Sequence, residues 1–132
     1  MADTNNLAGV KVMVIDDSNT IRRSAEIFLV QAGAQVILAE DGFDALAKIT
    51  DHVPDIIFCD IMMPRLDGYQ TCALIKKNAK FAGTPVIMLS SKDGLFDRAR
   101  GRMVGSDEYL TKPFTKDSLL KTVGAHAGKA AT

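Results

Sequence analysis

The sequence predicts an α/β domain built on one doubly wound parallel sheet of five strands. Three observations lead there. Short apolar runs alternate five times with stretches of helical periodicity. The first four runs are almost continuously apolar, as expected for strands covered on both faces. The connections are short, so each strand reaches a parallel neighbour through a helical crossover. A length of 132 residues holds one such domain and leaves no room for a second.

Residues 1–9 carry no pattern and are expected to form a mobile lead. The domain is expected over residues 10–127, with residues 128–132 as a flexible tail. The first strand, residues 10–15, stops at Asp16-Asp17. A helix over residues 19–32 puts Ile21, Ala25, Phe28 and Leu29 at helical spacing. Ser18 or Asn19 is its cap and Gly33 its stop. Residues 35–39 read as the second strand, and Asp41-Gly42 turns the chain. Phe43, Leu46, Ala47 and Ile49 mark a short helix. The third strand, residues 55–59, ends at Asp60. Pro64 and Asp67-Gly68 make residues 61–68 a loop, and residues 69–77 a helix. The fourth strand, residues 85–89, ends at Ser90-Ser91. A helix over residues 93–104 places Leu95, Phe96, Ala99 and Met103 on one face, and Gly105 closes it. Residues 108–110 form a short fifth strand before Lys112-Pro113. The last helix, residues 115–126, carries Leu119, Leu120 and Val123. Five such units fit the flavodoxin-like (βα)5 sheet order 2-1-3-4-5.

Composition excludes several functions. Sixteen basic residues balance sixteen acidic ones, which argues against a general nucleic-acid binder. No apolar run is long enough to span a membrane, and the N-terminus lacks the pattern of a secretory signal. Cys59 and Cys72 match no metal or redox spacing and read as reduced thiols, so a cytoplasmic protein is expected. Thirteen of the sixteen acids are Asp, a residue of caps, turns and strand ends. Several of them directly follow apolar runs.

In open α/β sheets, ligands bind beyond the carboxyl ends of the strands. Those ends carry Asp16 and Asp17, Asp60, Ser90 and Ser91, and Lys112. In the predicted order the first, third and fourth strands are neighbours, so three carboxylates, a hydroxyl and an ammonium converge on one rim. Two like charges 4 Å apart repel by about 4 kcal/mol at an effective dielectric of 20. Lys112 supplies one compensating charge. A hard divalent cation, Mg2+ before others, supplies two more. Taken singly, each residue has a plainer reading: the aspartates and serines as caps, the lysine as a solvated charge. Their joint placement carries the argument.

The segments VMVIDDS (12–18), IIFCDIMMPRLDG (56–68), PVIMLSS (85–91) and YLTKPF (109–114) are similar to the response-regulator receiver domain of two-component signalling, across residues 10–127. The resemblance implies that Asp60 is a phosphoacceptor, taking a phosphoryl group from a histidine kinase or its phosphotransfer domain. It implies a Mg2+ site with Asp17 and Asp60 as direct ligands, Asp16 acting mainly through a metal-bound water, and the Met62 backbone carbonyl as a further ligand. Lys112 is then the resting partner of Asp60. Ser90 swings toward the phosphoryl group, Tyr109 follows it inward, and Pro113 forms a cis peptide with Lys112. Met62 and Lys92 occupy the positions that tune phosphate lifetime in the family, and neither is acidic or an amide. Ser91 is small and leaves access for the donor.

Arg98, Arg100 and Arg102 on the fourth helix read either as a solvated face or as a partner surface. Arg22 and Arg23 read either as surface residues or as a kinase-docking site. Met62, Met63, Met88 and Met103 read as core or loop packing, Cys59 as core, and His52 and His126 as surface residues without a partner pattern. Within the family, the runs DDSNTIRRSAEIFL and IMMPRLDGYQTCALIK are similar to regulators of type IV pilus twitching motility. That implies a chemotaxis-like kinase upstream and a protein of the pilus or motility machinery downstream. The expected protein is a monomeric switch without an attached effector domain, and not a turnover enzyme. The competing readings are a Mg2+-dependent phosphohydrolase and a phosphate-independent receiver-like module. The first is disfavoured because the nucleophile candidate follows the third strand and no insertion forms a substrate pocket.

Overall fold

The computed structural model describes the backbone of residues 6–91 and 95–130, and side chains over residues 6–91 and 98–127. Strands β1 (Lys11–Ile15), β2 (Gln35–Ala39), β3 (Ile56–Asp60), β4 (Val86–Ser90) and β5 (Glu108–Thr111) alternate with helices α1 (Asn19–Gln31), α2 (Gly42–His52), α3 (Gly68–Lys77), α4 (Leu95–Met103) and α5 (Lys116–Ala130). The sheet is parallel throughout and runs β2-β1-β3-β4-β5. This is the expected doubly wound order.

Strand periodicity divides the core in two. Val12, Val14, Ile56, Phe58, Ile87 and Leu89 face one layer and pack with Ala25 and Leu29 of α1 and Leu119, Leu120 and Val123 of α5. Met13, Ile15, Ile57, Cys59, Val86 and Met88 face the other and pack with Ala45 and Ile49 of α2 and Cys72 and Ile75 of α3. β3 and β4 are buried along their whole length. Alternate residues of one strand therefore serve two separate cores, which is why these strands read as unbroken apolar runs.

The helices start where the caps allow. Ser18 accepts from the Ile21 amide and opens α1. Asp41 accepts from the Asp44 amide at 2.7 Å and opens α2. Asp67 and Gln70 form a reciprocal capping box on α3. Before α5, Thr115 and Ser118 each accept the other's backbone N–H at 3.0 Å.

Several expectations change. The packed chain begins before residue 10: Leu7 is buried in the core, and its amide donates to the Ala32 carbonyl at 2.7 Å. Asp60 is the last residue of β3, and not the residue after it. α2 continues to His52, where Val53 closes it in the left-handed conformation. α5 reaches Ala130. On α4 the expected apolar face does not hold over the described side chains. Ala99 is exposed and Met103 is 85% exposed, whereas Gly101 is buried. An added Cβ at Gly101 would lie 2.8 Å from the Ser106 hydroxyl. Among the described residues, the α4 backbone itself makes the close approach at Gly101. Met62 is also exposed, so two of the four methionines expected in packing positions face outward. Leu95, Phe96 and Lys92 lie outside the described side chains.

Gly68, the first residue of α3, sits against the end of β3. Its amide donates to the Ile61 carbonyl at 2.8 Å, and a Cβ there would lie 2.1 Å from the Asp60 carbonyl oxygen. The obstacle is backbone and cannot rotate away. Gly68→Ala is therefore expected to destabilise the protein by about 2 kcal/mol or more, as overpacking against a rigid neighbour does. Urea unfolding of the variant beside the parent measures it.

Candidate functional site

The carboxyl ends of β1 and β3 place Asp16, Asp17 and Asp60 so that one carboxylate oxygen of each lies within 4.8 Å of the others. Asp16 is fully buried, Asp60 is 3% exposed, and Asp17 is exposed at the mouth. The parallel pairing of β1 with β3 sets this convergence, with Ile15 opposite Cys59. The first two residues beyond β1 then meet the last residue of β3.

Lys112 enters from the end of β5. Its amide donates to the Ser90 carbonyl at 2.6 Å. Its ammonium donates to Asp60 Oδ1 at 2.8 Å and to Asp16 Oδ2 at 3.1 Å. Asp16 is engaged at its other oxygen as well, accepting from the Ser18 amide at 2.8 Å. Ser90 ends β4 beside this pair and is buried. The Lys112–Pro113 peptide bond is cis. Tyr109 lies on β5, two residues before Thr111. Its hydroxyl is buried without a hydrogen-bond partner among the described residues, and the Arg98 guanidinium stands 5.3 Å over its ring. Met62 follows in the next loop with its side chain in solvent.

Charge and burial oppose each other here. Burial raises the Asp60 carboxyl to about 6; the Lys112 hydrogen bond works against the rise, while the Asp16 charge adds to it. For Lys112, burial alone lowers the ammonium, but its hydrogen bond to Asp60 and the Asp16 and Asp60 charges outweigh that and hold it above its ordinary value. One ammonium therefore serves two carboxylates, and the third, Asp17, faces outward. An all-oxygen set of three carboxylates with one open side suits a hard divalent cation such as Mg2+.

Some supporting residues carry no sequence signal of their own. Arg22 donates from Nη1 to the Asp16 carbonyl at 2.6 Å and so ties α1 to the turn that carries both β1 aspartates. Arg65 takes a left-handed backbone conformation and donates to Asp41 Oδ2 at 2.8 Å, pinning the loop after β3 to the start of α2. Both contacts join residues that become neighbours only in the fold. Cys59 and Cys72 are free and buried, and burial pushes both thiols up. His52 is exposed, as expected, but His126 is paired with Glu108 of β5.

This fold and this acidic site define the response regulator receiver domain. The chain belongs to that family, whose model matches residues 12–124. Among individual relatives, Protein PilG of Pseudomonas aeruginosa is 72% identical over 118 residues, which is 89% of this chain and 87% of that protein. Protein PilH of the same organism is 36% identical over 87% of this chain and 95% of its own length. Among solved structures, the chemotaxis protein CheY4 of Vibrio cholerae superposes with a TM-score of 0.87 at 34% identity, covering 90% of this chain and 99% of that one. Among the described residues, no helix is long and apolar enough to cross a membrane.

The raised Asp60 carboxyl makes a signed prediction for the metal-free protein. A carboxyl held above its ordinary 3.8 binds its proton more tightly in the folded state. The stability this confers is present at low pH and is lost as pH rises through the range from about 4 to about 6. Asp60→Asn removes the cost of ionisation. With chelator present at pH 8, the variant is expected to be more stable than the parent by about 2 kcal/mol. The gap should close as pH falls below about 6 toward 4, which urea unfolding at several pH values would show.

Proposed function

We propose that the protein is a phosphorylation switch in which Asp60 accepts a phosphoryl group from a phosphohistidine on a kinase or its phosphotransfer domain. The carrying observation is the Asp16, Asp17 and Asp60 cluster with the Lys112 ammonium between two of its members. In the reaction an Asp60 oxygen bonds to phosphorus. The phosphorus–nitrogen bond of the donor breaks, and its electron pair stays on the imidazole. Lys112 neutralises charge that spreads over the phosphoryl oxygens. Asp17 and Asp60, with the Met62 carbonyl and with Asp16 behind them, would hold Mg2+, which supplies further positive charge when bound. Ser90 is the hydroxyl placed to hydrogen-bond a phosphoryl group on Asp60, and Tyr109 is the neighbour that responds. The product is a transient acyl phosphate and not a released product, so the output is a change in protein contacts. Arg98 and Arg102, with β5 and α5, are proposed as the surface on which those contacts change, while Arg100 stands over Tyr69 of α3.

The similarity to PilG, together with the sequence resemblance, supports a role in type IV pilus twitching motility. On that reading the kinase is chemotaxis-like, the receiving partner belongs to the pilus machinery, and the protein works in the cytoplasm, where two free thiols are at home.

Two outcomes test this reading. Incubation with Mg2+ and acetyl phosphate, followed by intact and peptide mass spectrometry, should show one added phosphoryl group mapped to Asp60. Chelator and Asp60→Asn should each abolish it. In a twitching-deficient Pseudomonas aeruginosa strain lacking PilG, the parent chain should restore motility on plates and the Asp60→Asn chain should not.

A further inference from the structure

Beside the phosphoacceptor lies an open cavity of about 340 Å3. Asp17, Met62, Pro64, Asp67, Tyr69 and Arg100 line it. Its charges are unequal in kind. The Asp67 carboxylate is committed to the cap of α3. Asp17 belongs to the acidic cluster. Arg100 is its one cation among the described residues. The guanidinium reaches from α4 to stand 4.5 Å over the ring of Tyr69, which is buried on α3.

Among the described residues, the other cations around the site are committed: Lys112 to Asp16 and Asp60, Arg65 to Asp41, and Arg22 to the Asp16 carbonyl. Arg100 has no hydrogen bond or ion pair among the described residues, and contact with a ring face occupies none of its five N–H donors. The ring positions the charge and leaves the donors for something else. A phosphoryl donor entering here meets three carboxylates, so an anionic donor gains from a cation held at the entrance.

We infer that Arg100, seated on Tyr69, is a specificity-determining residue that favours small phosphoryl donors whose leaving group departs as an anion, the acyl phosphates. This rests on the assignment of Asp60 as phosphoacceptor. With acetyl phosphate, an Asp60 oxygen bonds to phosphorus, the bond from phosphorus to the acyl oxygen breaks, and its electron pair leaves as acetate. In an in-line transfer the negative charge grows on the departing oxygen, on the side of phosphorus opposite Asp60, and we take that side to be the cavity that Arg100 lines. With phosphoramidate the leaving group departs as neutral ammonia, so no such charge develops. Arg100 therefore stabilises one transfer and has little to act on in the other.

The test is the ratio of initial phosphorylation rates with acetyl phosphate and with phosphoramidate, in Mg2+, read by mass spectrometry. Arg100→Ala is expected to lower that ratio about three- to tenfold, the scale of one partly exposed charge contact. Arg100→Lys should recover part of it, and high salt should shrink the parent's advantage. Magnesium affinity, measured by calorimetry, should stay at the parent value. An unchanged ratio overturns the inference, and so does an equal fall with both donors, which marks Arg100 as a structural contact between α3 and α4. Should the parent chain take no phosphoryl group from either donor, the assignment of Asp60 fails instead.

Discussion

Three carboxylates at the ends of two adjacent strands repel one another, and one ammonium holds two of them. This contact between Lys112 and the pair Asp16 and Asp60 organises the rest of the molecule. Lys112 has to arrive from the far side of the sheet, two strands away from β3, and its amide bond to the Ser90 carbonyl sets it there. The sheet order is thus a functional requirement. An order that carried the end of β5 away from β1 and β3 would separate the charges and leave Asp60 buried without a counterion, which is costly in a low-dielectric site.

The balance is left incomplete in a useful way. Lys112 does not neutralise the cluster, and Asp17 remains outward-facing. The unsatisfied negative charge suits a divalent cation, and under the proposed function that cation and Lys112 together would turn the acidic rim into a phosphate-binding one. Burial presses on the same point from the opposite direction, since it raises the Asp60 carboxyl and makes a bare anion there expensive. A group under such strain responds strongly to whatever binds it, and that responsiveness is what a switch needs.

Rigid supports surround this site. Gly68 lets α3 abut the Asp60 backbone, Arg22 fixes the turn after β1, and Arg65 ties the following loop to α2. The α4 side is built differently. There, among the described side chains, Gly101 is buried, Met103 faces solvent, and Arg100 and Arg98 stand over Tyr69 of α3 and Tyr109 of β5. Among its described side chains, α4 meets α3 and β5 through charged groups. It also carries the arginines proposed for donor choice and for output.

The sequence alone determined the sheet, because unbroken apolar strands alternating with capped helices admit one economical architecture. It also determined the acidic site, because Asp16, Asp17, Asp60, Ser90 and Lys112 fall at strand ends whose neighbours follow from the sheet order. Only the tertiary structure decided the rest. That Leu7 joins the core, that Met62 and Met103 face solvent, and that Arg65 meets Asp41 and Arg100 meets Tyr69 are facts about residues far apart in the chain. Periodicity reports which face of an element is apolar. It does not report how closely the neighbouring backbone approaches that face or which distant side chain reaches across to it.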